Sequence, residues 1–210
     1  AHGGISVGPD GATHQALEEI AIMRCLPHMT VIVPADWREV QKATEAAARQ
    51  YGPIYIRFGR EGVPVITKED TPFEIGKAYC CRDGSDLAII ACGAMVYTSL
   101  VAAERLAQRG IEAMVINLHT IKPIDRETVV EAAQKCGAVV TVEEHQVMGG
   151  MGSAVVEVLA ENCHVPVQIV GIMDSFGESG EPNELMQKYG LTPEHVISAA
   201  EIVLAKKTTS

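Results

Sequence analysis

The 210-residue chain sets 17 Lys and Arg against 27 Asp and Glu, a net charge of −10. That balance excludes a general nucleic-acid binder, which needs a basic surface. No apolar run reaches the roughly 20 residues that cross a bilayer, and no signal peptide is visible, so no membrane partner is expected. Phosphorylated substrates stay open, because they need only a few local cations.

Residues 1–15 (AHGGISVGPDGATHQ) show no helical or strand period and hold four glycines, His2, His14 and Asp10. Glycine and the Pro9-Asp10-Gly11 cluster favour turns, so this is a polar loop. Apolar positions over 14–25 predict an amphipathic helix stopped by Pro27. Residues 30–33 (TVIV) predict a buried strand. Asp36 follows as an N-cap, with Glu39 three residues on in a capping-box pattern, and the helix runs to about Gln50. Residues 54–58 form another strand, which delivers Gly59-Arg60-Glu61-Gly62 at its far end. This alternation marks a parallel sheet covered by helices. Two strands are too few for an independent domain, so residues 1–67 read as the tail of a larger one.

Residues 68–74 begin with the charged stretch KEDTP and are read as a linker. Beyond it, strands are expected over 74–81, 86–92, 113–118, 138–142 and 167–172. Helices are expected over 97–109, 126–135, 153–162, 185–189 and 193–206. Asp125 and Thr192 are the N-caps, Gly110 is a C-cap, and Pro193 sits at the first helical position. Residues 75–210 thus make a complete three-layer α/β/α unit on a five-stranded, mostly parallel sheet.

The six cysteines show no C-x-x-C spacing, which argues against zinc. They read as reduced, mostly buried side chains of a cytoplasmic protein. Arg57 and Arg60 follow a strand end, where a guanidinium can grip a phosphate through two parallel hydrogen bonds. A surface ion pair with Glu61 or Glu69 is the simpler reading for either. Glu143-Glu144-His145 and Gly149-Gly150-Met151-Gly152-Ser153 lie between a strand and a helix. The glutamates would repel an anion, so the glycines are assigned to close strand–helix packing at a domain or subunit contact. Residues 174–180 are read as a packed connecting loop. His119 is assigned to structure, and His28, His164 and His195 to solvent.

HGGISVGPDGATHQALE resembles the sugar-binding loop of transketolases, which reads H-x-x-I-x-V-G-x-D-G-x-T-H-Q. LPHMTVIVPAD (26–36), PIYIRFGREGVPV (53–65), EEH followed by GGMGSAV, and EPNELMQKYGLTPEHVISAA are similar to later stretches of the same family. Ser6 and Pro9 look most like transketolases split into two polypeptides, with this chain as the second. The resemblance implies that residues 1–67 end a pyrimidine-binding domain and that 75–210 form the transketolase C-terminal domain. It further implies that His2 and Arg60 bind the sugar phosphate and that Asp10 hydrogen-bonds a sugar hydroxyl. His14 would be the catalytic residue beside the reacting carbons. The implied reaction is two-carbon ketol transfer between ketose and aldose phosphates, as in the pentose phosphate pathway. Thiamine diphosphate and a divalent metal (Mg or Ca) would be held mainly by another domain or subunit, so no cofactor or metal ligand is assigned here. The implied partners are an N-terminal transketolase subunit or domain and a second copy in a homodimer.

The family's catalytic glutamate and its ring-stacking aromatics lie upstream of this loop. Residues preceding Ala1 are therefore expected, and the isolated chain is expected to be inactive. Two alternatives share the architecture: the beta subunit of a 2-oxoacid dehydrogenase, and a non-catalytic dimerisation or regulatory module. The run G-P-D-G-x-T-H-Q favours the sugar enzyme over the former.

Overall fold

The computed structural model describes residues 1–207. The last three positions of the expected C-terminal unit, 208–210, lie outside the described residues. The chain opens with a 3₁₀ helix, Ile5–Asp10, interrupted at Gly8, where φ is 76°. Four elements follow: α1 (Glu19–Arg24), β1 (Thr30–Ile32), α2 (Trp37–Arg49) and β2 (Ile54–Ile56). β1 and β2 pair in parallel, from Thr30↔Ile54 to Ile32↔Ile56.

The helix expected over 14–25 begins only at Glu19. Residues 15–17 are taken by longer-range bonds. Ala16 bridges Gly3 in parallel, and the buried Gln15 amide donates to the carbonyls of Ile5, Gly8 and Glu178 at 3.2, 3.1 and 2.8 Å.

Asp36 caps α2 as its sequence position predicts, accepting from the Glu39 amide at 3.0 Å. The reciprocal bond closes one residue earlier than in a standard box. Glu39 Oε2 accepts from the Ala35 amide at 2.6 Å, and its Oε1 accepts from Asn117 Nδ2 at 2.8 Å. Asp36 Oδ2 also accepts from the amides of Ile66 and Thr67, at 2.8 and 2.7 Å. Lys42 Nζ then donates to the carbonyls of Lys68, Glu69 and Thr71 at 3.1, 2.9 and 2.5 Å. The segment read as a linker is therefore fastened to α2.

The second half runs β3 (Tyr79–Arg82), β4 (Leu87–Ala91), α3 (Met95–Ala107), β5 (Ala113–Asn117), β6 (Thr120–Lys122) and α4 (Arg126–Cys136). It ends with β7 (Val139–Gln146), α5 (Met151–Asn162), β8 (Val167–Ile172), α6 (Pro182–Lys188) and α7 (Pro193–Lys207). The five-stranded sheet has the order β3-β5-β4-β7-β8. All its pairs are parallel except β3–β5. Every residue of β4, β5 and β7 is buried, as expected when helices cover both faces of a parallel sheet.

The two-residue period of a strand splits β4 between two cores. Leu87, Ile89 and Ala91 join Val96 and Ala103 of α3 and Val196, Ala200 and Val203 of α7. Ala88, Ile90 and Cys92 join Val129 and Ala133 of α4 and Val155 and Leu159 of α5. Burying each of the Ile and Leu side chains contributes about 1.5–3 kcal/mol. This is the expected three-layer α/β/α arrangement.

Two features depart from the expected plan. β3 occupies Tyr79–Arg82 rather than 74–81. β7 continues to Gln146, so Glu143-Glu144-His145 lies inside a central strand and not after it. A third feature, β6, has no counterpart in that plan. It pairs antiparallel with β1, Ile32↔Thr120 and Val31↔Lys122, and gives a smaller sheet ordered β2-β1-β6. The cores also run on into the N-terminal segment through Ile5 and Leu17 on one side and Ile20 and Val31 on the other.

Only Cys92 and Cys136 are buried. Cys25 and Cys80 are exposed, Cys81 and Cys163 half-buried, and all six are free. The expectation of mostly buried thiols fails because Cys25 lies past the end of α1 and Cys80 lies on the edge strand β3. Among the described residues no helix is long and apolar enough to cross a membrane.

Candidate functional site

The N-terminal loop is closed at its base by backbone bonds. Gly3 N–H donates to the Phe58 carbonyl at 3.1 Å, Gly4 N–H to the Ala16 carbonyl at 3.0 Å, and Ala16 N–H to the His2 carbonyl at 3.4 Å. Gly4, at φ 106°, and Gly11, at φ 77°, take left-handed conformations that suit glycine. A side chain at either would also strike Glu144 or Ser179.

This fold divides the loop's side chains by depth. Gly3, Ile5, Gln15 and Leu17 are buried, whereas His2, Asp10 and His14 are exposed. Arg60, four residues beyond the end of β2, reaches back to form an ion pair with Asp10. His14 stands on the turn just after Asp10, its amide donating to the Gly11 carbonyl at 3.0 Å and its Nδ1 lying 3.0 Å from Thr13 Oγ1. His2 sits at the loop's base, next to Gly3, which forms an isolated bridge with Ala16. Of the four sequence-predicted residues, Arg60 and Asp10 are brought into contact; His2 and His14 are exposed on the same N-terminal loop and touch neither.

A buried ionic network lies beneath. Arg57, 5% exposed, donates through Nε to Glu19 Oε1 at 2.5 Å. Its Nη2 donates to the carbonyls of Ala16 at 3.1 Å and Glu144 at 2.7 Å. Neither arginine pairs with Glu61 or Glu69, as the simpler sequence reading would have it. Burial works against the Arg57 charge, but Glu19 and Glu144 more than offset it and raise its pKa.

Burial pushes the Glu144 carboxyl up, against the Arg57 charge and the Ser6 amide, which donates to Oε1 at 2.6 Å. Glu143 caps α5, accepting from the amides of Met151 at 2.7 Å and Gly152 at 2.8 Å. Burial nevertheless pushes it up to about 7. His145 Nε2 accepts from the Ile20 amide at 3.1 Å, and Nδ1 lies 2.8 Å from the Gln146 carbonyl. These bonds require a neutral ring protonated at Nδ1, and burial, with the Arg57 charge, lowers its pKa accordingly.

The glycines of 149–152 do pack strand against helix. A Cβ at Gly150 would stand 2.2 Å from Glu143 Oε2, and one at Gly152 would stand 2.6 Å from Thr141 Oγ1. A helix start able to hold an anion is here filled by the protein's own carboxylate. The residues present therefore do not fit a diphosphate.

Residues 174–180 are tethered through their backbone, but the packed loop expected there is largely open: Asp174, Ser175, Phe176 and Ser179 are exposed, because no neighbouring element covers their side chains. Gln146 Nε2 donates to the Ser175 carbonyl at 2.8 Å, and Tyr189 Oη donates to the Phe176 carbonyl at 2.8 Å. His119 is buried, stacks on Phe73 with centroids 4.3 Å apart, and is held by burial at about 4. His28 and His164 are exposed, whereas His195 is half-buried against Thr192 Oγ1 at 2.9 Å.

Sequence reasoning missed Gln15, Glu19 and Glu144 as the braces of the loop. One signal was available: VVTVEEHQ keeps an apolar strand running into three ionisable residues, and charges in a central strand must find partners.

Fold and surface together define a mixed α/β chain whose glycine loop, braced from below, exposes two imidazoles and a carboxylate, the last paired with a guanidinium from the segment after β2. Residues 1–65 match the family described as transketolase, pyrimidine binding domain, and residues 76–196 match transketolase, C-terminal domain. The chain is 45% identical over 204 residues to the 6-deoxy-6-sulfo-D-fructose transketolase subunit of Clostridium sp. (strain MSTE9), covering 97% of this chain and 63% of that one. It is 43% identical over 198 residues to a putative transketolase C-terminal section of Methanocaldococcus jannaschii, covering 93% and 62%. Among solved structures, one described as a split gene transketolase, inactive beta4 tetramer, superposes with a TM-score of 0.91 at 48% identity, covering 93% and 64%.

The chain belongs to the transketolase family, a transferase-type family of thiamine diphosphate enzymes. It spans a little under two thirds of the length of these three relatives.

Proposed function

We propose that this chain supplies the sugar-phosphate-binding part of a composite transketolase active site that transfers a two-carbon ketol unit between ketose and aldose phosphates. One observation carries the reading. Arg60 crosses 50 positions of sequence to sit on Asp10 at an open surface, beside the turn that carries His14. The pair is about 40% exposed, so an incoming phosphate can take the guanidinium in two parallel hydrogen bonds.

In this reading Arg60 and His2 hold the phosphate. Asp10, released from Arg60, accepts from a sugar hydroxyl. His14 lies beside the reacting carbons and steadies or relays a proton, a task for which an imidazole suits neutral pH. The substrate is polar throughout, so directed hydrogen bonds rather than apolar burial supply its orientation.

Thiamine diphosphate and its divalent metal would be held mainly by another domain or subunit. An N-terminal transketolase section and a second copy of the assembly are the proposed partners, and the proposed compartment is the cytoplasm. Residues 1–67 and 75–210 act as the end of a pyrimidine-binding domain and as the C-terminal domain. The chain alone is proposed to be inactive.

The test mixes the full-length subunit with its N-terminal partner and follows ketol transfer from xylulose 5-phosphate. Activity that appears on mixing and is lost in His14→Ala supports the assignment. Unchanged turnover in His14→Ala removes it.

A further inference from the structure

We propose that Arg57 is a positioning residue for this sugar-phosphate site, an inference that rests on the reading above. Arg57 is too deeply buried to touch a substrate. Its bonds, however, go to the parts that set the site's shape. Nη2 reaches the Ala16 carbonyl, in the pair that closes the loop, and the Glu144 carbonyl in β7. Glu144 in turn holds the Ser6 amide on the loop's other limb. Nε is paired with Glu19 at the start of α1.

Arg57 also lies on the short segment that carries Arg60. Its amide donates to the Ile32 carbonyl at 2.8 Å, which fixes how the chain leaves β2 three residues before Arg60. Gly3 completes the fit, because a Cβ there would stand 2.7 Å from Nε and 2.8 Å from Cγ of Arg57. One planar guanidinium therefore sets the height of both loop limbs against the segment bearing Arg60. A lysine ammonium cannot reproduce that fork, so Arg57→Lys keeps the charge and loses the geometry.

The experiment uses the full-length subunit assembled with its N-terminal partner. It measures inhibition by inorganic phosphate together with KM and kcat for a ketose phosphate. The variants are Arg57→Lys, Arg60→Ala and the double variant. Positioning predicts that Arg57→Lys weakens phosphate binding and raises KM by about tenfold while kcat changes less. It also predicts that in the Arg60→Ala background the same change costs less than about threefold, because the contact being positioned is gone. Gly3→Ala, which displaces Arg57 from above, is expected to reproduce the Arg57→Lys phenotype, and it carries the test if Arg57→Lys fails to fold.

Arg60→Ala with unchanged phosphate affinity would defeat the sugar-phosphate reading itself. If Arg60→Ala weakens binding but Arg57→Lys and Gly3→Ala do not, or if the losses multiply independently, the positioning role is overturned and that reading stands.

Discussion

Glu143 offers a stability measurement whose sign and size follow from its surroundings. Its side chain is fully buried, and burial pushes its carboxyl up to about 7 from an ordinary 4.5. Below about pH 4.5 the group is protonated in both the folded and unfolded chains. Between 4.5 and 7 only the folded chain holds the proton. Above 7 both are ionised, and the folded chain carries the full burial penalty. Stability from this group is therefore present at low pH and falls as pH rises through the window.

A carboxyl raised from 4.5 to about 7 corresponds to about 3 kcal/mol. Glu143→Gln removes the titration while keeping the shape and one acceptor for the α5 amides. Urea unfolding of the two proteins at pH 5 and pH 8 isolates the group together with its coupling to His145, 3.8 Å away, because the titrations of distant groups cancel in the difference. The wild-type protein should gain about 2–3 kcal/mol relative to Glu143→Gln on going from pH 8 to pH 5. A difference that stays constant within about 0.5 kcal/mol would refute the claim that burial outweighs the two capping amides.

Arg60→Ala should leave unfolding within about 1 kcal/mol of wild type, because the pair with Asp10 is half-exposed. The same change should weaken phosphorylated substrates about tenfold to a hundredfold in the assembled enzyme, with unphosphorylated analogues little affected. Asp36→Ala removes a cap and the acceptor for Ile66, Thr67 and Glu39. It should cost about 2–4 kcal/mol by denaturant titration and should abolish hydrogen-exchange protection at the Thr67 amide. Gly152→Ala forces a methyl group to 2.6 Å from Thr141 Oγ1 and 3.0 Å from Ile169 Cγ2. An overpacking loss of about 1–3 kcal/mol should appear in thermal unfolding.

The parts of the fold legible from sequence are those governed by local rules. The apolar runs that became β4, β5 and β8 need no partner to declare themselves, and Asp36 and Asp125 cap the helices that follow them. What escaped depends on contacts distant in sequence. β6 is three residues long, and its partner in β1 lies about ninety positions away. Residues 15–17 carry a helical pattern, yet Gln15 is worth more as a buried donor to three carbonyls than as a helical turn. For the site, residue type alone suggested Arg60 and the loop histidines. The contact of Arg60 with Asp10 and the depth of Arg57 were not legible, because two arginines three apart look alike until a strand sends one inward and the other out.

The hold of Lys42 on Lys68, Glu69 and Thr71 has a practical consequence for handling the protein. A protease that cuts in that exposed stretch severs one covalent bond but leaves β6 hydrogen-bonded to β1 and the interleaved cores intact. The clipped molecule should therefore travel as one particle on a sizing column and come apart only in denaturant. An unchanged elution volume would be no evidence that the polypeptide is whole.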